Sequence, residues 1–401
     1  MISSLSGLLR WTLSLFLAAC VAALAPAQRL VCRIVPGADP AQIARDHSLY
    51  LRDITAPAPF ILVEPDPFSG IEFSLARLMA DPRVVWVEDD DDLVCPENTS
   101  GGRGGTVAAV ADRNALYAVN ANLLQQIRWS VPPPGAIERD VRVAILDNGL
   151  SPLHGRLWKK VAAAANLLPD GRDPYDLPYG VDSNGNFDPD EMVGHGTMIA
   201  GIIDFMAPEA QFVIARVADS DGQATAWSII KGLAFAVLNG AEVANISLGS
   251  VDRIPALSDV LDWTDENGLL IVAPIGNNGQ RLAVFPAGYS EALCVSGVLP
   301  DDRKAPFSNW RGTADSAAPA TGIRSTFWNG QMGLWSGTSF AAPLVAGAVA
   351  DCLTRRLSMR PEDLIDAVDE TGDDIDGLNP LYRGELGTRL NYSRLAAFLR
   401  Q

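Results

Sequence analysis

The sequence predicts an α/β protein: a mostly parallel sheet with helices on both faces, preceded by a small α+β domain of ferredoxin-like order. Three observations predict it. From residue 107 on, apolar runs of strand length alternate with segments of helix length, the pattern of a parallel sheet covered on both faces. Residues 28–97 instead read strand, helix, strand, strand, helix, strand, the order of a ferredoxin-like unit. Between them, residues 98–106 (Asn-Thr-Ser-Gly-Gly-Arg-Gly-Gly-Thr) have the composition of a flexible linker, where proteolytic nicking concentrates.

Taken in order, residues 1–27 read as an export signal. Arg10 is the only charge before the apolar run Trp11–Ala25, and Ala25-Pro26-Ala27 offers small residues for cleavage before Gln28. Leu17-Ala18-Ala19-Cys20 resembles a lipoprotein box, but the residues after Cys20 stay apolar. The expectation is a secreted or periplasmic protein, with lipid anchoring through Cys20 as the alternative. In the small domain, strands are predicted at 29–35, 49–54, 60–63 and 84–87, and helices at 39–48 and 71–80. The first and last strands of that topology are antiparallel neighbours, so Cys32 and Cys95 are expected to meet as a disulfide. The acidic run Glu88–Asp92 reads as a solvated strand end. In residues 107–401, strands are predicted at 142–146, 212–217, 242–247, 269–273 and 292–298. Helices are predicted at 195–204, 224–238, 256–267, 338–354 and 361–369.

Composition narrows the function. The chain has 401 residues, 48% hydrophobic and 20% charged, an ordinary globular balance. A formal charge of −17 argues against nucleic acid or an anionic membrane as partner, since both need a basic footprint. Four cysteines outside the export signal are too few for a disulfide scaffold, and their spacing fits no zinc pattern; Cys294 and Cys352 read as separate buried thiols.

Three strings then carry chemistry. Val-Ala-Ile-Leu-Asp-Asn-Gly places Asp147 at the end of an apolar strand, where ligands of parallel sheets bind. Gly-His-Gly-Thr-Met-Ile-Ala-Gly holds His195 between two glycines, which would let a substrate backbone approach. Ser-Gly-Thr-Ser-Phe-Ala-Ala-Pro holds Ser339 at the start of an Ala-rich helix, in which Gly347 permits close packing. Each alone has a plain structural reading: a strand-terminating turn, a packed histidine, a helix N-cap. Together, Asp, His and Ser are the minimum set for activating a hydroxyl as nucleophile. His47 and His154 have no motif around them and read as structural.

In wording and in the order Asp, His, Ser, the strings resemble those of the subtilisin-like serine proteases (subtilases) over roughly Val141–Ala350. The resemblance implies a catalytic triad of Asp147, His195 and Ser339. It implies an oxyanion donor in Ile271-Val-Ala-Pro-Ile-Gly-Asn-Asn-Gly279, at Asn277, with Asn278 as the neighbouring alternative. Ser247-Leu248-Gly249 resembles the family strand that pairs with substrate, Ser220-Asp221-Gly222 the segment opposite, and Gly276 belongs to the pocket wall. Pro274 and Ile275 depart from the family's small residues there, leaving the pocket's shape open. Residues 28–97 resemble the family's propeptide, an intramolecular inhibitor expected to be removed between about Glu97 and Val107.

Two features stand outside the triad. Asp182, Asn184, Asn186 and Asp188 alternate as oxygen ligands do in calcium loops; a structural Ca2+ site or a plain acidic loop both fit. Asn245-Ile246-Ser247 matches a glycosylation acceptor but falls on a strand expected to be buried. The expected function is a secreted serine endopeptidase acting on protein or peptide, with no cofactor required for catalysis. The alternatives are a peptide-binding pseudoprotease and a hydrolase of small esters or amides.

Overall fold

The five runs predicted as strands of the larger domain all fall in one sheet. This computed structural model describes residues 28–66, 71–95, 105–110, 112–130, 139–355 and 359–400. The export signal, Cys20, most of the linker and the expected processing window up to residue 104 lie outside them.

Two units divide between Asp90 and Asp91. The first contains β1 (Leu30–Ile34), α1 (Pro40–Asp46), β2 (Leu49–Ile54), β3 (Phe60–Pro65), α2 (Ile71–Met79) and β4 (Val84–Asp89). Its antiparallel sheet has the order β2-β3-β1-β4, as the ferredoxin-like reading requires. The period-two alternation Leu30, Cys32, Ile34 meets Ile61 and Val63 on one face, and Ile43 and Leu78 from the helices close that core.

The second unit is built on eight parallel strands in the order β17-β14-β13-β12-β11-β7-β9-β8. These are β7 (Arg142–Asp147), β8 (Val161–Asn166), β9 (Gln211–Arg216), β11 (Val243–Ile246), β12 (Leu270–Pro274), β13 (Ala292–Val298), β14 (Ser316–Pro319) and β17 (Thr388–Arg389). The central strands β11, β12 and β13 are buried along their whole length, which is why they read as continuous apolar runs. Helices α6 (His195–Met206) and α9 (Thr338–Leu353) pack closely at Gly347, where a Cβ would lie 2.5 Å from the Met206 Cβ. Asp204, buried on α6, pairs with Arg113, Arg156 and Lys160; burial opposes its ionisation, but these cations hold its pKa down to about 2. A three-stranded antiparallel sheet joins β15 (Ile323–Thr326), β16 (Gln331–Trp335) and β6 (Gly105–Val110).

Four expectations change. Gly105 and Thr106, assigned to the linker, belong to β6 and pair with Leu334 and Gly333. The acidic run is not wholly a solvated end: the Asp90 carboxylate is buried against Arg29 at 2.9 Å, and Leu93 is buried in strand β5 (Asp92–Val94). Because β5 pairs with β10 (Gln223–Thr225), the boundary falls at 90/91 rather than at 97. Cys32 and Cys95 form no disulfide: Cys32 sits in the small unit's core, while the chain runs on from β4 through β5 to Cys95 in the other unit. Cys294 and Cys352 are separate buried thiols, as expected. Among the described residues no helix is long and apolar enough to cross a membrane.

Candidate active site

Three neighbouring strands, β7, β11 and β12, deliver polar groups to the carboxyl end of the sheet. β7 ends on Asp147, β11 runs into Ser247, and β12 runs into Gly276 and Asn277. Parallel register holds these ends in step, with Ile246 opposite Leu146 and Asn245 opposite Val272.

Asp147 and His195 are fully buried and touch directly. The His195 Nδ1 lies 2.9 Å from each Asp147 oxygen, and Asp147 Oδ1 also accepts the Asn148 N–H at 2.8 Å. A carboxylate there fixes the tautomer with the proton on Nδ1, leaving Nε2 as the basic nitrogen. The ring stands edge-on to Phe340 and Trp335, at centroid distances of 5.2 and 5.7 Å.

A second carboxylate steadies the helix that carries His195. Asp176, 1% exposed, accepts the Gly194 N–H (2.8 Å), the Thr197 N–H (3.1 Å) and the Thr197 hydroxyl (2.5 Å). It thus satisfies donors at the N-terminal turn of α6 that have no partner within the helix. Burial pushes its pKa up to about 7 against the pull of those hydrogen bonds. No sequence pattern points to Asp176, which sits 19 residues before His195 in an aperiodic Asp-Pro-Tyr-Asp segment.

The glycines around His195 are required by internal packing. A Cβ on Gly194, whose φ is +98°, would fall 2.2 Å from the Phe327 ring. One on Gly196 would fall 2.4 Å from the Gly149 carbonyl oxygen.

Ser339 is fully buried in the first turn of α9, whose N-cap is Gly337; Ser339 is therefore not the cap. Pro343 lies four residues on and has no N–H, so the Ser339 carbonyl lacks its helical donor. The Ser247 hydroxyl donates to that carbonyl instead, at 3.1 Å. Asn277 is tied to the same turn: its Oδ1 accepts the Thr338 N–H and hydroxyl, both at 2.9 Å. This fixes the carbonyl end of the amide and turns its NH2 end the other way. Asn278 is exposed and donates its backbone N–H to the Asn309 Oδ1.

The predicted substrate segments hold a peptide already, one from this chain. Residues 92–94 pair antiparallel with 223–225, and Val94 exchanges both backbone bonds with Gly249, at 3.1 and 2.8 Å. The Cys95 N–H donates to the Gly222 carbonyl at 3.1 Å. Leu93 and Cys95 are buried, and a Cβ on Gly222 would lie 3.2 Å from the Cys95 sulfur. Leu248 is buried between Ser247 and Gly249. Asp221 serves differently: its carboxylate accepts backbone N–H groups of Ser183, Asn184 and Glu191 and so anchors the oxygen-rich loop.

Within that loop, Asp182, Asn184 and Asn186 accept N–H groups of Asn186, Phe187 and Asp188, and the amides of Asn184 and Asn186 donate to Glu191. Among the described residues no three His, Cys, Asp or Glu side chains are grouped so as to hold a metal ion. His47 pairs with Asp81 in the small unit and His154 meets the Phe327 carbonyl, so neither joins the site. Asn245 and Ser247 are buried, which closes the glycosylation reading.

The chain is similar to known proteins. The sequence profile of the subtilase family matches residues 138–383. Subtilisin E of Bacillus subtilis is 30% identical over 314 residues, 75% of this chain and 73% of that protein. The thermophilic serine proteinase of Bacillus sp. AK1 is 30% identical over 64% of this chain, which spans 60% of that relative's length. Thermitase of Thermoactinomyces vulgaris is 31% identical over 59% of this chain and 82% of its own. Among solved structures, the epidermin leader peptide processing serine protease of Staphylococcus aureus has the same fold. It covers 94% of this chain and 99% of its own at TM-score 0.71, with 18% identity.

Proposed function

Since the chain belongs to the subtilase family, we propose that it is a secreted serine endopeptidase that cuts peptide bonds through an acyl-enzyme on Ser339. The observation that carries this reading is the buried Asp147–His195 pair beside the helix turn that holds Ser339. The Ser339 hydroxyl attacks the scissile carbonyl and its proton passes to the His195 Nε2. The Asn277 amide and the Ser339 N–H stabilise the oxyanion. His195 then returns the proton to the departing amine, leaving the acyl group on Ser339. Water, activated by His195, releases it.

Residues 92–95 lie where substrate would, as an added strand between 222–225 and Gly249. This supports the N-terminal unit and its tail as an intramolecular inhibitor, removed by self-cleavage between about Glu97 and Val107. Export through residues 1–27 fits a relative named minor extracellular protease Epr in Bacillus subtilis. The chemistry takes no cofactor. A Ca2+ at Asp182, Asn184, Asn186 and Asp188 would be structural, so EDTA leaves the initial rate unchanged and any calcium dependence shows in the melting midpoint.

The test incubates wild type and Ser339→Ala with a peptide library and with a serine-directed phosphonate. Internal peptide cleavage and labelling of Ser339 are expected, both lost in Ser339→Ala, which should also keep its N-terminal unit. Peptide binding without cleavage would mark a pseudoprotease. Turnover confined to small esters or amides would mark the other alternative. Activity surviving Ser339→Ala would end the assignment.

A further inference from the structure

One side chain stands between the two walls of the cleft. Ser247 touches the Ser339 carbonyl and Asn277 holds Thr338, so wall 247–249 and wall 276–277 both run to the nucleophile's turn. The side chain next to the bond that Ser339 attacks has to enter between them. Both walls carry a glycine there, and Val284 fills the space. A Cβ on Gly249 would lie 2.7 Å from the Val284 Cγ2, and one on Gly276 would lie 2.9 Å from the Val284 Cγ1. The isopropyl group therefore packs against both glycines at once.

Val284 is also held in place. Its N–H donates to the Ile275 carbonyl at 3.1 Å, on one wall. Phe285 exchanges backbone bonds with Ser250 at 2.8 and 3.0 Å, on the other. Val284 is 5% exposed, and a β-branched side chain so clamped has little rotamer freedom with which to move aside.

We propose that Val284 closes the pocket for the residue on the acyl side of the scissile bond, restricting it to Gly, Ala or Ser. This rests on the endopeptidase reading and adds its substrate class. A pocket too short by a few carbons discriminates about 10- to 200-fold per methylene.

The test compares substrates with Ala or Phe before the cut, in wild type, Val284→Ala and Val284→Gly. Wild type should favour Ala by at least about tenfold in kcat/KM, and Val284→Gly should shrink or invert that ratio by at least about tenfold. Val284→Ala should fall between, and serves if the glycine variant does not fold. Phosphonate esters bearing the same two side chains give a second readout, since Ser339 displaces phenolate from phosphorus without needing turnover. Wild type cutting equally after Ala and Phe, or variants with an unchanged ratio, overturns the Val284 assignment alone. No cleavage and no labelling by any probe overturns the endopeptidase reading beneath it.

Discussion

Asp147 and His195 are held by charge inside a buried pocket, whereas Ser339 and Asn277 are held by neutral hydroxyl and amide bonds. The Asp147–His195 half leans on a second buried carboxylate, Asp176, and is walled by Trp335 and Phe340. The Ser339–Asn277 half leans on a helix turn whose freed carbonyl is taken by Ser247. Each half is therefore vulnerable in its own way. Removing charge damages the first, and removing a single donor weakens the second.

The largest effect should come from Asp147→Asn, which keeps the shape and removes the charge that fixes the His195 tautomer. A fall of about 10^4 in kcat is expected, with little change in melting midpoint. A loss below tenfold would mean that the Asp147 charge is not what holds His195. Asn277→Ala should cost about 10^2–10^3 in kcat, the scale of subtilisin's own oxyanion asparagine, with KM little changed. Asn277→Asp sharpens this, because it keeps an acceptor for Thr338 while removing the amide donor. Recovery of rate in that variant would mean that anchoring, not oxyanion binding, is the residue's role.

The smallest effect on rate should come from Asp176→Asn, read instead through stability against pH. The folded pKa of Asp176 is raised to about 7, so between its ordinary value near 4 and pH 7 the folded state binds more protons than the unfolded state. Stability from this group is therefore greatest at the acid end and is lost as pH rises through that window, by on the order of 4 kcal/mol. Measured in a Ser339→Ala background to prevent self-digestion, the stability of wild-type Asp176 relative to Asn should fall from pH 4 to pH 7. A flat difference would remove Asp176 from the charged half.

Legibility in the sequence followed the same division. Asp147, His195, Ser339 and Asn277 stand in short motif strings beside continuously apolar strands or helices, and the structure places all four at one end of one sheet. Edge strand β8 was missed because Val-Ala-Ala-Ala-Ala-Asn has low strand propensity. β6 was missed because Gly-Gly-Thr reads as linker until β16 pairs with it. Asp176, Val284, Phe327 and Trp335 left no pattern, since each matters through a contact far away in sequence. Nor is the packing need for the glycines beside His195 legible, because Phe327 and Gly149, which take the space, are distant in sequence.

Strand register has a consequence for how the protein should fail. Asp147, Ser247 and Asn277 take their positions from three adjacent strands, and a slip of one residue would shift a group by about 3.3 Å and turn it to the opposite face. Such a site has no graded, partly assembled form. On slow heating, loss of activity should track loss of the sheet itself, with no sluggish intermediate between them.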